Sequence, residues 1–284
     1  MTRESGNVVL TADLPKGGLR KGGPDMKQVR FYEMRPVQIR AVRDAFPVAY
    51  LPMGTLEWHG EHNPVGLDAL KATAMAEKFA ERIGGLVMPT VWWGDHRERL
   101  AEVVFDEKTS GNFDHRPGIA KGHGLPLEAF LEDAKRSAAD GGWKTFEAVL
   151  RNTFYELTTL GFRVIVAIAG HYPLIGPAKN AADAFAPTKR AKIIPIIGYD
   201  LVKDRFTGDH AARWETSLML YLRPELVDMN LLDPNPKNVP IGVLGVDPRG
   251  TASAEYGREG MEAMTEALRI RVHEALEEVR KGTA

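Results

Sequence analysis

The chain has 284 residues, no cysteine and a net charge of −1, with 44% hydrophobic and 26% charged residues. That balance supports a sizeable buried core, excludes disulfides and thiolate metal sites, and offers no basic face for nucleic acid or an anionic membrane. No apolar run reaches the ~20 residues of a bilayer span, and no signal-peptide h-region precedes the domain, so a cytoplasmic protein is expected.

Residues 1–30 are polar, aperiodic and glycine-rich around Lys16–Pro24, and read as a flexible N-terminal arm ahead of a domain spanning 31–284. Apolar Val37, Ile39, Val42 and Phe46 predict a short helix over Pro36–Phe46. The run Pro47–Met53 then predicts a buried strand ending at Gly54. Beyond it, Gly54, Gly60, Pro64 and Gly66 rule out a long regular element, so the segment is a shaped loop at the strand's carboxyl end. This loop carries Glu57, His59, Glu61, His62 and Asp68, five possible ligands within twelve positions. Carboxylate oxygen and imidazole nitrogen together suit Zn, Mn or Fe(II). A solvated acidic loop is the plainer alternative, and the crowding of donors weighs against it.

Ala69–Ile83 has helical spacing and is stopped by Gly84-Gly85, and Leu86–Trp92 predicts a second strand. The charged stretch 94–143 holds His96, His115 and His123 and several glycines, and reads as an insertion with one helix near Leu127–Ala138 and exposed histidines. Phe146–Leu160 predicts a helix, and Phe162–Ile168 the clearest central strand, running into Gly170-His171. Ala191–Gly198 predicts another strand. A helix beginning near Asp209-His210 turns Glu215 toward the site, and Glu259–Arg280 predicts a terminal amphipathic helix. Alternating strands and helices predict an α/β fold, a single-domain layered sandwich with a mostly parallel central sheet flanked by helices.

The pattern Pro52-x-Gly54-x-x-Glu57-x-His59-Gly60-x-His62-x-Pro64-x-Gly66-x-Asp68 resembles the opening signature of the creatininase (creatinine amidohydrolase) family. Gly170-His171, His210-Ala211-x-x-x-Glu215-Thr216-Ser217, Arg223-Pro224-Glu225-Leu226-Val227 and the segment around Asp247-Pro248 extend the resemblance, which covers roughly 31–93 and 144–280. It implies that Glu57 and His171 bind one metal ion, that His59 binds another, and that Asp68 bridges the two. It also implies a polar catalytic role for His210 and places Glu215 on or beside the second ion.

At Pro173 the chain departs from the pattern, because creatininase itself carries there a Glu that serves the second metal. Glu215 is the nearest substitute. The resemblance implies one or two divalent ions per chain, Zn first with Mn or Fe as alternatives, a small-molecule amide substrate, cyclic or linear, and a homo-oligomer, by family a hexamer. The reaction it implies is cleavage of a C–N bond by metal-activated water, with a nearby group carrying the proton. Glu61, His62 and His210 are the candidates, and His210 has the family role. Two other readings stand beside this one. The first is a lactonase or decarboxylase using the same ions, and the second a non-catalytic binding protein with a partial metal site.

Overall fold

A parallel sheet in the order β2-β1-β3-β4 carries the site, formed by Val48–Met53 (β1), Leu86–Val87 (β2), Val164–Ala169 (β3) and Lys192–Ile196 (β4). The structure is a computed structural model that describes residues 28–93, 114–129 and 139–282. Residues 1–27 of the N-terminal arm, most of the predicted insertion with its His96, and most of the helix expected near Leu127–Ala138 lie outside the described residues; the end of the expected arm is packed, with Val29 buried and Arg30 bridged to Val87. The described helices are Pro36–Ala45 (α1), Leu67–Ile83 (α2), Arg116–His123 (α3), Trp143–Thr159 (α4), Ile175–Phe185 (α5), Arg213–Leu222 (α6) and Ala254–Lys281 (α7).

Strand residues alternate between two cores, as the pleat requires. Val48, Tyr50, Val164, Val166 and Ile168 meet Phe79 of α2, Trp214 and Leu218 of α6, and Met261, Met264 and Leu268 of α7. Ala49, Leu51, Ile165 and Ala167 meet Phe146, Leu150 and Phe154 of α4 and Phe185 of α5. Both faces are covered, so β1 and β3 are buried throughout and read as uninterrupted apolar runs. Each large side chain so buried contributes about 1.5–3 kcal/mol. This is the layered, single-domain α/β class expected from the sequence.

The differences from the expected elements have local causes. Strand β2 closes after Val87 rather than running to Trp92: Met88 N–H still donates to the Tyr50 carbonyl at 2.8 Å, and beyond Pro89, whose ring fixes the local backbone, a bridge from Val91 to Met53 follows. Helix α7 starts at Ala254, five residues before the predicted Glu259, capped by the Ser253 hydroxyl, which accepts from Tyr256 N–H. Its early glycines hide the helix from a propensity reading, yet contact demands them. A Cβ at Gly257 would lie 2.0 Å from the Ser217 carbonyl oxygen, and one at Gly260 2.5 Å from the Trp214 ring. Helices α3 and α5, both interrupted in sequence by Gly and Pro, have no counterpart among the predicted elements.

Two further glycines set the site. Gly54 ends β1 and Gly170 follows β3, and both lie against the first turn of α2. A Cβ at Gly54 would meet Ala69 N at 2.2 Å, and one at Gly170 would meet the Asp68 carbonyl oxygen at 2.1 Å. Only a missing side chain lets the helix start rest on the two strand ends. Gly170→Ala is therefore expected to cost about 1–3 kcal/mol through backbone displacement. Urea denaturation checks it, and an unchanged midpoint contradicts the close approach.

Candidate metal centre

The loop after β1 presents Glu57 and His59, the first turn of α2 presents Asp68, the end of β3 presents His171, and α6 presents Glu215. All five are buried, none more than 6% exposed. His171 Nδ1 lies 2.8 Å from Glu57 Oε2 and 3.1 Å from Asp68 Oδ2. His59 Nε2 lies 3.3 Å from Asp68 Oδ1 and 3.7 Å from Glu215 Oε2. The two carboxylate oxygens of Asp68 thus face opposite ways, one toward each histidine.

Backbone contacts fix the rings. His59 Nδ1–H donates to the Glu57 carbonyl at 3.0 Å, which turns Nε2 inward, where it finds no well-aligned hydrogen bond. His210 Nε2–H donates to the Trp58 carbonyl at 2.9 Å, which leaves Nδ1 as the acceptor nitrogen of the ring, and His210 lies with Glu57 and His59. The rings of His59 and His210 stack with centroids 4.4 Å apart. Ala211 takes the left-handed conformation, φ 56°, and its N–H donates to Glu215 Oε2 at 2.9 Å. A non-glycine residue held there is a mark of local strain, common at functional sites.

The electrostatics of the cluster call for positive charge. Burial opposes ionisation of Glu57, but His171 and His210 outweigh it and hold its pKa down at about 2. Asp68 is likewise held low against burial, by His59 and His171. Burial also opposes charge on His59, yet Asp68 and Glu215 raise its pKa to about 9. Asp209 is pushed up to about 7, by burial first and the neighbouring Glu215 charge second. It accepts from Trp214 N–H and Glu215 N–H, capping α6.

Among the described residues, three sets of donors converge closely enough for an ion: Glu57, Asp68 and His171; His59, Asp68 and Glu215; and Glu57, His59 and His210. The first set fits a divalent ion on its donor chemistry, two carboxylates and an imidazole whose ligand atoms lie within 4.8 Å of one another. The second set carries a complication absent from the sequence reading. Lys71 of α2 is 2% exposed, and its Nζ donates to Glu215 Oε1 and lies 3.7 Å from Asp68 Oδ1. The sequence did hold a signal. Asp68, Lys71, Ala72, Met75, Ala76 and Phe79 form one buried helical stripe, and a lysine inside it demands a partner.

The other candidates fall elsewhere. Glu61 is exposed and outside the cluster. His62 is buried, but its Nε2 pairs with Thr216 Oγ1 at 3.0 Å, beside Asn63, and burial lowers its pKa to about 4. Two of the histidines read as exposed residues of an insertion, His115 and His123, are not so: His115 is buried, and its Nδ1 accepts from Gly242 N–H at 2.9 Å. His123 packs edge-on against Trp58 at 5.1 Å. Together with the Trp58 Nε1–H donated to the Ile241 carbonyl, these contacts brace the Glu57–His59 loop from outside. A cavity of about 270 Å³ opens beside the cluster, lined by Asp68, His171, Tyr172, Asp209, His210 and Glu215 among others.

The profile of the family described as "Creatininase: Creatinine amidohydrolase" matches residues 32–110 and 141–271. The chain belongs to the creatininase family. The creatinine amidohydrolase of Pseudomonas putida is 30% identical over 225 residues, 72% of this chain and 76% of that protein. The 3-dehydro-scyllo-inosose hydrolase of Thermotoga maritima is 26% identical over 298 residues, 89% of this chain and 86% of its own. A crystal structure of creatinine amidohydrolase (creatininase) superposes with a TM-score of 0.65 at 26% identity, covering 88% of this chain and 98% of the other. Other creatininase structures of the same likeness are described as of Zn-Zn type and as a Mn form. The chain is thus a creatininase-family hydrolase with buried clusters suited to a metal. No helix among the described residues is long and apolar enough to cross a membrane.

Asp68 belongs to two of the three donor sets, so Asp68→Asn is expected to reduce metal affinity by at least the 10–100-fold usual for a supporting partner. Elemental analysis after dialysis measures it, and full metal retention contradicts Asp68 as a ligand.

Proposed function

We propose that this chain is a metal-dependent amidohydrolase that cleaves a C–N bond in a small amide, cyclic or linear, held in the cavity beside Asp68 and His171. The observation that carries the reading is the buried convergence of Glu57, Asp68 and His171 at the carboxyl edge of β1 and β3. These residues would hold a divalent ion, Zn first and Mn or Fe(II) as alternatives, in keeping with the Zn and Mn forms of the creatininase relatives. When bound, such an ion supplies Lewis acidity toward the carbonyl and lowers the pKa of water.

The protein's own groups do the rest. His210 has Nε2–H committed to the Trp58 carbonyl, so Nδ1 is the atom that accepts and returns a proton. Burial, with the neighbouring His59, lowers its pKa and keeps it in the accepting form near neutral pH. Glu215 completes the far wall of the cavity. The volume of about 270 Å³ suits a small molecule rather than a folded polypeptide. A cytoplasmic homo-oligomer, a hexamer by family resemblance, completes the proposal.

A second reading has its own support. The Thermotoga maritima relative aligns with more of this chain than the creatininase does, and its name gives an inosose as substrate. Hydrolytic opening of such a ring, in which water adds to a ketone carbonyl, the adjacent C–C bond breaks and the leaving carbon takes up a proton, would use the same ion and the same proton carrier.

A panel of cyclic and linear amides, with lactones and inososes as controls, separates the two in the metal-loaded protein. The amide reading expects amine release; turnover of the inososes alone contradicts it. For the proton carrier, His210→Asn is expected to lower kcat about 10²–10⁴-fold with metal content unchanged. Loss of metal in that variant makes His210 a ligand instead.

A further inference from the structure

The second donor set does not fit an ion cleanly. Glu215 has both oxygens engaged, Oε1 by the Lys71 ammonium and Oε2 by Ala211 N–H at 2.9 Å. Asp68 Oδ1, the oxygen turned toward His59, also faces Lys71 Nζ at 3.7 Å. The ammonium is therefore placed between the two carboxylates that a second ion would need. It is held there from a third side by the Tyr172 ring, whose centroid is 4.9 Å from Nζ. Pro173 follows on the cavity wall and brings no donor.

We infer that Lys71 takes the place of a second metal ion, so that the chain holds one divalent ion, at Glu57, Asp68 and His171, and an ammonium in the other half of the centre. The inference rests on the metal-hydrolase reading above and goes beyond it. Charge supports it. With the imidazoles of His59 and His171 neutral, as beside a divalent ion, one such ion and one ammonium match the charges of Glu57, Asp68 and Glu215. Asp209, the other acidic group nearby, has two backbone donors of its own. A second divalent ion would leave a buried excess of positive charge beside Lys71, which burial penalises. Lys71 is thereby a positioning residue. It fixes Glu215 and the His59-facing oxygen of Asp68 in the geometry an ion would otherwise impose, and it leaves His59 Nε2 turned toward the cluster without a metal bond.

The test is metal stoichiometry rather than turnover. Purified protein is titrated with Zn²⁺ by calorimetry and the bound metal counted by elemental analysis, for wild type and for Lys71→Met, which keeps the length of the side chain and removes its charge. One ion per wild-type chain is expected, rising to two in Lys71→Met. Two ions of similar affinity in the wild type overturn the inference while leaving the hydrolase reading intact, as does a variant that stays at one. No ion in the wild type overturns both. If Lys71→Met does not fold, the wild-type count still decides.

Discussion

Three carboxylates share one buried cluster, and every other feature of the site answers their charge. Two like charges about 4 Å apart repel by ~4 kcal/mol at an effective dielectric near 20, and burial adds a desolvation cost to each. Positive charge has to be supplied from within reach. His171 meets Glu57 and Asp68, His59 meets Asp68, and Lys71 meets Glu215. A divalent ion among Glu57, Asp68 and His171 is the natural completion of that arrangement. Removing one partner of such a buried set costs about 3–5 kcal/mol, because it leaves an uncompensated charge away from water.

Backbone geometry makes the convergence possible. β1 and β3 are neighbours in full parallel register, from Val48 opposite Val164 to Met53 opposite Ala169, so their carboxyl ends deliver Glu57 and His171 to the same edge. Gly54 and Gly170 let the start of α2 settle onto those ends, bringing Asp68 between them. From the other side, Asp209 caps α6 and Ala211 accepts a left-handed turn, which together aim Glu215 inward. Trp58 is held by the segment around Ile241 and by α3, so the loop between Glu57 and His59 is braced rather than free.

Much of this was legible in the sequence because it is written in local patterns. Buried strands read as apolar runs, and Gly-punctuated donors after β1 and Gly-His after β3 mark strand ends where ligands gather. Those signals, with the family resemblance, brought Glu57, His59, Asp68, His171, His210 and Glu215 into one expectation, and the structure places all six together. Long-range pairing was not legible. His62 lies three residues from His59, yet its ring turns to Thr216, a partner 154 positions away. His115 looked like an exposed residue of a charged segment, and only the fold reveals the Gly242 N–H that buries it. A lysine in a helix reads as part of a solvated face, whereas Lys71 lies within the apolar stripe of α2 and is buried there. Helix α7 was read short because Gly257 and Gly260 lower helix propensity in exchange for close contact with α6.

The central claim is that a single ion sits among Glu57, Asp68 and His171 with the Lys71 ammonium filling the adjoining half of the centre. Anomalous diffraction at the metal edge, from crystals of the Zn-loaded protein, tests it most directly. The account predicts one peak per chain, within coordination distance of those three side chains, with Lys71 Nζ still on Glu215. Two peaks sharing Asp68, with Lys71 swung out of the cluster, would contradict it.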